Sequence, residues 1–351
     1  MGPHPAVAQV RLGVRQALAG LAPGDLVLAA CSGGADSLAL AAALAFEAPR
    51  LGLRGGGVTI DHGLQAGSAE QARRVTAALA AMGLEPAASA RVSPAGPGGP
   101  EAAARAARYA ALDDAADRAG AVAVLLGHTL DDQAETVLLG LARGSGARSL
   151  AGMPARQGRY LRPLLGLRRA QTLAACAALR LEPWADPHNL DPGYARARVR
   201  HQAMPALASA LGPGVAEALA RTACQLRADA DVLDALAEAE TMRLRDRDGG
   251  LAAEALAGLP AAIRTRVLHA AATAAGCPPG ALTARHVAGL DALVTDWHGQ
   301  RWADLPGGVR GLRRYGKLTF TAGPHAREPE SAKSAENAEG AGGRERHGRR
   351  P

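Results

Sequence analysis

Ser32, Gly33, Gly34, Ala35, Asp36 and Ser37 stand between an apolar run and an alanine-rich stretch, in DLVLAACSGGADSLALAAAL. Two adjacent glycines between regular elements cost conformational entropy on folding, so something should use the backbone they expose. The N–H groups of such a turn and of the first helical residues converge on an anion, and the helix dipole adds to the attraction. Phosphate suits that geometry. Asp36 then lies in the first helical turn, placed to hold Mg²⁺ against a bound pyrophosphate. The hydroxyls of Ser32 and Ser37 are each a donor for a phosphate oxygen. The turn is not a Walker A loop, because the GK[ST] ending is absent, and it does not read GxGxxG. A plain glycine turn with Asp36 or Ser37 as N-cap accounts for the same six residues, and locally both readings stand.

A second group follows in LLGHTLDDQAETVLLGLARGSGARSLAGM, residues 125–153. His128, Asp131 or Asp132, and Glu135 recur at offsets of three, four and seven, which puts an imidazole and two carboxylates on one helical face. Acids at a helix start with a rim histidine satisfy the dipole equally well. No third ligand cluster accompanies them, which argues against zinc. Arg105 and Arg108 lie three apart with Tyr109 beside them, and Asp61 and His62 close a second apolar run. YARARVR carries Arg196, Arg198 and Arg200, spaced two apart. Such arginines cannot all share one helical face, so the spacing suits a phosphate-tracking loop, an extended piece or a solvated charge run.

These residues need a scaffold, and the first half of the chain supplies a β-α rhythm. Strands are expected near Leu26–Ala30, Gly57–Ile60, Ala87–Val92 and Val122–Leu126, with helices over Asp36–Phe46, Ser68–Met82, Glu101–Ala119 and Leu130–Leu141. That alternation predicts an α/β fold, a doubly wound parallel sheet with ligands at the carboxyl ends of its strands. RVSPAGPGGPEAAARAARY places a Pro/Gly surface loop before the third helix, and a strand at Tyr160–Leu164 with a helix over Arg168–Leu179 completes the domain. Helices are then expected near Gly214–Glu240, Ala252–Ala257, Pro260–Ala275 and Thr283–Val294, closed by strand-like segments in RWADLPGGVRGLRRYGKLTF. The predicted organisation is a catalytic domain over 1–208, a smaller α-rich domain over 209–322 and a disordered tail over 323–351, with no internal repeat.

Composition bounds the function classes. At 351 residues the chain is long enough for two cores. No apolar run approaches bilayer-crossing length, and the N-terminus lacks a signal peptide's apolar block, so a cytoplasmic location and no membrane partner are expected. Net charge is +7, carried almost wholly by arginine because Lys317 and Lys333 are the only lysines. Codon bias explains much of the Ala/Gly/Arg excess, and the charge by itself argues weakly for nucleic acid. Cys31, Cys176, Cys224 and Cys277 lie far apart without a CxxC pair, so the spacing supports neither a zinc site nor a disulfide framework.

SGGADS after an apolar strand resembles the SGGxDS signature of the PP-loop, or N-type, ATP pyrophosphatases, which cut ATP between the α and β phosphates and transfer AMP to a carbonyl-type oxygen. TIDHGLQAGSAEQARRV, EAAARAARYAAL, the 125–153 block, RPLL and WADPHNLDPGYARARVRHQAMP are similar to successive segments of the tRNA(Ile)-lysidine synthetase family. RADADVLD and DLPGGVRGLRRYGKL resemble that family's appended domain. The resemblance covers nearly all of residues 20–320. It departs at Gln65, Ala197 and His188, where the family carries arginine, asparagine and serine. It implies a PP-loop, Rossmann-like ligase that adenylates O2 of the wobble cytidine of an isoleucine tRNA with a CAU anticodon, then replaces AMP with the ε-amine of free L-lysine. Asp36, His128, Asp132 and Glu135 are implied as catalytic. Ser32, Gly33, Gly34, Ala35, Asp36, Ser37, Asp61, His62 and Arg108 would bind ATP, and Asp36 its Mg²⁺. Arg105 is a weaker candidate beside Arg108. Asp132 and Glu135 would hold lysine, whose ammonium groups need anionic partners. Arg196, Arg198 and Arg200 would contact tRNA, and a homodimer is compatible with the pattern. The competing readings are tRNA thiolation, an amide-forming PP-loop synthetase and a non-catalytic nucleotide- or RNA-binding module.

Overall fold

The computed structural model describes residues 2–61, 63, 67–92, 100–144, 146–184 and 191–323. His62, Gln65, His188, the 93–99 Pro/Gly stretch and the tail beyond 323 lie outside the described residues. The chain divides into two compact units, Met1–Ala230 and Asp231–Pro351. The predicted boundary after 208 rests on a proline-rich change of texture, whereas the units part within one long helix, Val215–Leu244.

The first unit runs α1 (Pro5–Leu18), β1 (Leu26–Ala30), α2 (Ala35–Arg50), β2 (Arg54–Asp61), α3 (Ser68–Ala81), β3 (Ala87–Arg91), α4 (Pro100–Ala119), β4 (Ala121–Leu126), α5 (Leu130–Ala142) and α6 (Ala147–Leu150). The short strands β5 (Arg156–Gln157) and β6 (Tyr160–Leu161) follow, then α7 (Arg169–Ala178), α8 (Ala195–Arg198), a π-helical turn (Val199–Ala203), α9 (Met204–Leu211) and α10 (Val215–Leu244). The sheet order is β3-β2-β1-β4-β6-β5. All neighbours are parallel except the β5–β6 pair. Strand order reverses at β1, so the crevice of this doubly wound sheet opens between the carboxyl ends of β1 and β4.

Why β1 lies centrally is visible in its composition. LVLAA is buried throughout, with Val27 and Ala29 packing into one core beside α1, α2 and α7, and Leu26, Leu28 and Ala30 into the other beside α4. A strand covered on both faces reads as continuous apolar sequence. Each buried leucine there contributes about 1.5–3 kcal/mol relative to exposure. Helix α1 was not among the expected elements; Val7, Val10, Val14 and Leu18 form its buried stripe at helical spacing. The strand expected over Tyr160–Leu164 is shorter, ending at Leu161.

The second unit comprises the end of α10, then β7 (Leu251–Ala252), α11 (Ala253–Ala257), α12 (Ala261–Ala274), α13 (Ala284–Thr295), β8 (Trp302–Leu305), β9 (Val309–Arg314) and β10 (Lys317–Ala322). Its sheet is antiparallel in the order β7-β10-β9-β8. Val267, Leu268, Leu290 and Leu293 from the helices meet Leu305, Val309 and Leu318 from one sheet face in a single core. Among the described residues no single helix is long and apolar enough to cross a membrane.

Candidate active site

The glycine turn joins β1 to α2 with Gly34 as N-cap and no side-chain cap bond. Neither Asp36 nor Ser37 caps the helix. Gly33 has φ +87°, and a Cβ there would meet Val75 Cγ2 at 2.8 Å and Gln71 Nε2 at 2.9 Å. Its carbonyl accepts from Trp184 N–H at 2.9 Å. Only glycine suits this position. The Ser37 hydroxyl is spent within the turn: it donates to the Gly34 carbonyl at 2.9 Å and accepts from Ser32 N–H at 3.2 Å. Ser32 remains exposed, while Ala35 lies in the first helical turn. An uncapped helix start leaves its first N–H groups as anion donors.

Gly127 brings the end of β4 against this turn. A Cβ there would sit 3.2 Å from the Asp36 backbone and the Ser37 Cα. His128 follows directly, and Thr129 opens α5 with a capping box closed by Asp132. Asp132 Oδ2 accepts from Thr129 N–H and from its hydroxyl, both at 2.8 Å. The other oxygen, Oδ1, faces the crevice beside Glu135, one turn further along.

Three arginines converge on these acids. Arg169 reaches Asp36 Oδ2 (3.4 Å), Asp132 Oδ1 (3.0 Å) and Glu135 Oε1 (3.5 Å). Arg196 Nε donates to Glu135 Oε2 at 2.9 Å, and its Nη2 lies 3.4 Å from Asp132 Oδ1. Arg200 donates to Glu135 Oε1 at 2.8 Å and to Asp132 Oδ1 at 3.1 Å. The segment carrying Arg196 and Arg200 is helical, continuing from α8 into a π-helical turn, and not the loop or extended piece its spacing suggested. These two arginines lie four apart on one face. Arg198 lies on another, exposed, donating to the Pro192 and Gly193 carbonyls.

Electrostatics follow from this packing. Burial pushes the Asp36 carboxyl above its usual range, against the pull of the Thr172 hydroxyl and Arg169. Burial acts in the same sense on Asp132, but Arg169, Arg196 and the Thr129 donors outweigh it and hold Asp132 below the usual carboxylate range. His128 is lowered to about 3 by burial, with Asp132 opposing and Arg108, Arg162 and Arg196 adding to the fall. Its Nδ1 and the Nε of Arg162 are buried without a hydrogen-bond partner among the described residues. Burial also lowers Arg108, with Arg105 and Arg196 acting in the same direction. Among the described residues Arg108 makes no ion pair, which leaves a cation free for an anionic ligand.

Asp61 closes β2 at the same sheet edge, where its Oδ1 accepts from Gly63 N–H at 2.9 Å and Arg91 stands 3.9 Å from Oδ2. His62 lies outside the described residues. Arg105 instead stacks over Tyr109, its guanidinium 5.0 Å from the ring centroid. Sequence reasoning missed Arg169 and Thr172, which sit three apart on α7 and both contact Asp36. They stand more than 130 positions from it in the chain. The only local signal was an arginine and a threonine on one helical face of an otherwise ordinary helix.

A profile of the PP-loop domain matches residues 10–207, and one of the TilS substrate binding domain matches residues 251–318. The tRNA(Ile)-lysidine synthase of Thermobifida fusca (strain YX) is 60% identical over 321 residues, covering 92% of this chain and 99% of that protein. The chain belongs to the tRNA(Ile)-lysidine synthase family. The Streptomyces coelicolor member of this family is 53% identical over 352 residues, covering 92% of this chain and 100% of its own length. Among solved structures, the U34-tRNA thiolase NcsA from Methanococcus maripaludis superposes with a TM-score of 0.52 at 18% identity, covering 63% of this chain and 79% of that one. That likeness concerns the fold. The thiolase carries a [4Fe-4S] cluster; in this lysidine synthase family member Cys31, Cys176 and Cys277 are buried and Cys224 is exposed. No group of three or more His, Cys, Asp and Glu among the described residues could hold a metal ion.

Proposed function

We propose that this chain is an ATP-dependent carbon–nitrogen ligase that converts the wobble cytidine of an isoleucine tRNA with a CAU anticodon into lysidine, working in the cytoplasm. The turn at Gly33 and Gly34 and the open start of α2 bind the β and γ phosphates of ATP, with Ser32 and the Ala35 backbone at their edge. Ser37 shapes the turn through Gly34. Asp36 would hold the Mg²⁺ that accompanies ATP, a carboxylate oxygen being the hard donor that ion takes. When bound, Mg²⁺ neutralises charge on the phosphates. Arg108 takes the α-phosphoryl group, and Asp61 and His62 border the nucleotide.

Cytidine O2 attacks the α-phosphorus, and the bond to pyrophosphate breaks. Oxygen at C2 is a poor leaving group until it carries AMP, so activation must come first. The lysine ε-amine then attacks C2, AMP departs with the oxygen, and a nitrogen proton is released. Asp132 and Glu135 hold lysine, and one of them receives that proton. His128 stays neutral at working pH and so lines the site without adding a cation. Charge favours this assignment: Arg169 and Arg196 hold Asp132 below the usual carboxylate range, so it meets an incoming ammonium group as an anion. Arg198, exposed beside them, contacts tRNA phosphate, and Arg196 and Arg200 do so when released from the acids. Catalysis belongs to residues 1–208 and tRNA contact to residues 209–322 as well.

The observation that carries the reading is the junction at Gly127, where an uncapped anion-binding helix start meets the Asp132–Glu135 pair. The test supplies ATP, Mg²⁺, labelled lysine and tRNA transcripts. Label should enter the isoleucine-type CAU tRNA and not methionine tRNA, with pyrophosphate released. Asp132→Asn should raise the lysine KM and lower turnover; unchanged values would remove Asp132 from the lysine site.

A further inference from the structure

The sheet of the second unit has one face in the core and one in solvent. Register places Trp302 opposite Leu312, and Leu312 opposite Thr319. Asp304, Arg310 and Thr321 form the next row, and Arg314 lies opposite Lys317. These side chains alternate with Leu305, Val309 and Leu318, which are buried, so they share the outer face. Trp302 is 44% exposed and Tyr315, at the β9–β10 tip, is 100% exposed. Tyr315 also holds φ 49°, a left-handed conformation that costs a bulky residue energy and here turns the ring clear of the protein. Residues 301–322 carry Arg301, Arg310, Arg313, Arg314 and Lys317 against the single acid Asp304. Arg310 stacks over Trp302 at 4.9 Å, and Arg314 makes no ion pair among the described residues.

We infer that this face and the Tyr315 tip form an RNA-binding surface, deepening the proposed function by naming where the second unit meets tRNA. Aromatic rings interleaved with cations on an open sheet match a nucleic acid on both counts: bases stack on Trp302 and Tyr315 while Arg314 meets phosphate, flanked by Arg310 and Lys317, which pair with Asp304 and Asp246. A protein partner would want a contiguous apolar centre, and this face offers only Trp302 and Leu312. The inference rests on tRNA being the substrate, but its test does not.

The experiment measures binding of an isoleucine tRNA transcript to the full chain across a salt series, for the parent, Trp302→Thr, Tyr315→Ala and Arg314→Ala. Each aromatic replacement should weaken binding about tenfold. Arg314→Ala should lower the slope of log affinity against log salt by about one. The tRNA KM should rise in step while kcat at saturating tRNA and the melting temperature stay at parental values. Parental affinity and salt slope in all three variants would overturn the inference, as would a change of oligomeric mass with RNA affinity untouched. A parent that binds the transcript through these residues yet forms no lysidine would sink the proposed function and leave the surface standing.

Discussion

Arginine does opposite work in the two units. In the crevice of the first, Arg169, Arg196 and Arg200 are largely shielded and share the carboxylates of Asp36, Asp132 and Glu135. On the sheet of the second, Arg310 pairs with a 68%-exposed Asp304, and Arg314 is exposed with no ion pair among the described residues. Removing one member of a shielded cluster strands charges that have lost their solvent, whereas removing a solvated one strands nothing. The first arrangement fixes geometry; the second offers charge to whatever arrives.

The sharpest break of this contrast is Asp36→Asn. It removes the charge facing the phosphates and leaves Arg169 short of a partner, so pyrophosphate release should fall about 10²–10³-fold, measured with saturating ATP. Retained activity would dissociate the cluster from the chemistry. Next comes Glu135→Gln, which deprives Arg196 and Arg200 of their shared anion and should cost about 3 kcal/mol in urea unfolding. A pairing no stronger than a surface bridge would show less than about 1 kcal/mol.

His128 sharpens the contrast through pH. Its native pKa lies near 3, below the ordinary histidine value, so protonation favours the unfolded chain. Stability from this residue is complete above about pH 6.5 and is lost as pH falls from there toward 3, by roughly 1.4 kcal/mol for each unit. Comparing the parent with His128→Asn between pH 7 and 5 should show that slope in the parent alone. An activity profile with an inflection near 6.5 that vanishes in the variant would contradict a neutral His128. The smallest effect belongs to Arg310→Ala, whose exposed pair should change unfolding free energy by less than about 1 kcal/mol.

Much of this was legible in the chain. Continuous apolar runs bounded by glycine announced the central strands, and SGGADS announced the turn, because both depend on neighbours within a few positions. The capping box of Thr129 and Asp132 is local in the same way. Helix α1 was equally legible in its Val7, Val10, Val14 and Leu18 stripe at helical spacing. The arginine run differs from the loop or extended piece its spacing suggests because the three need not share a face: Arg196 and Arg200, four apart on a helical segment, meet on the acids, and Arg198 points elsewhere.

By itself the sequence determined the βα order, the glycine turn and the helix face bearing Asp132 and Glu135, since backbone sterics and side-chain periodicity act over a few residues. Only the tertiary structure decided that α7 delivers Arg169 and Thr172 to Asp36, and that Arg196 and Arg200 face inward while Arg314 faces out. Pairing across more than a hundred positions depends on which elements the sheet makes neighbours, and on how much water each charge keeps once they pack.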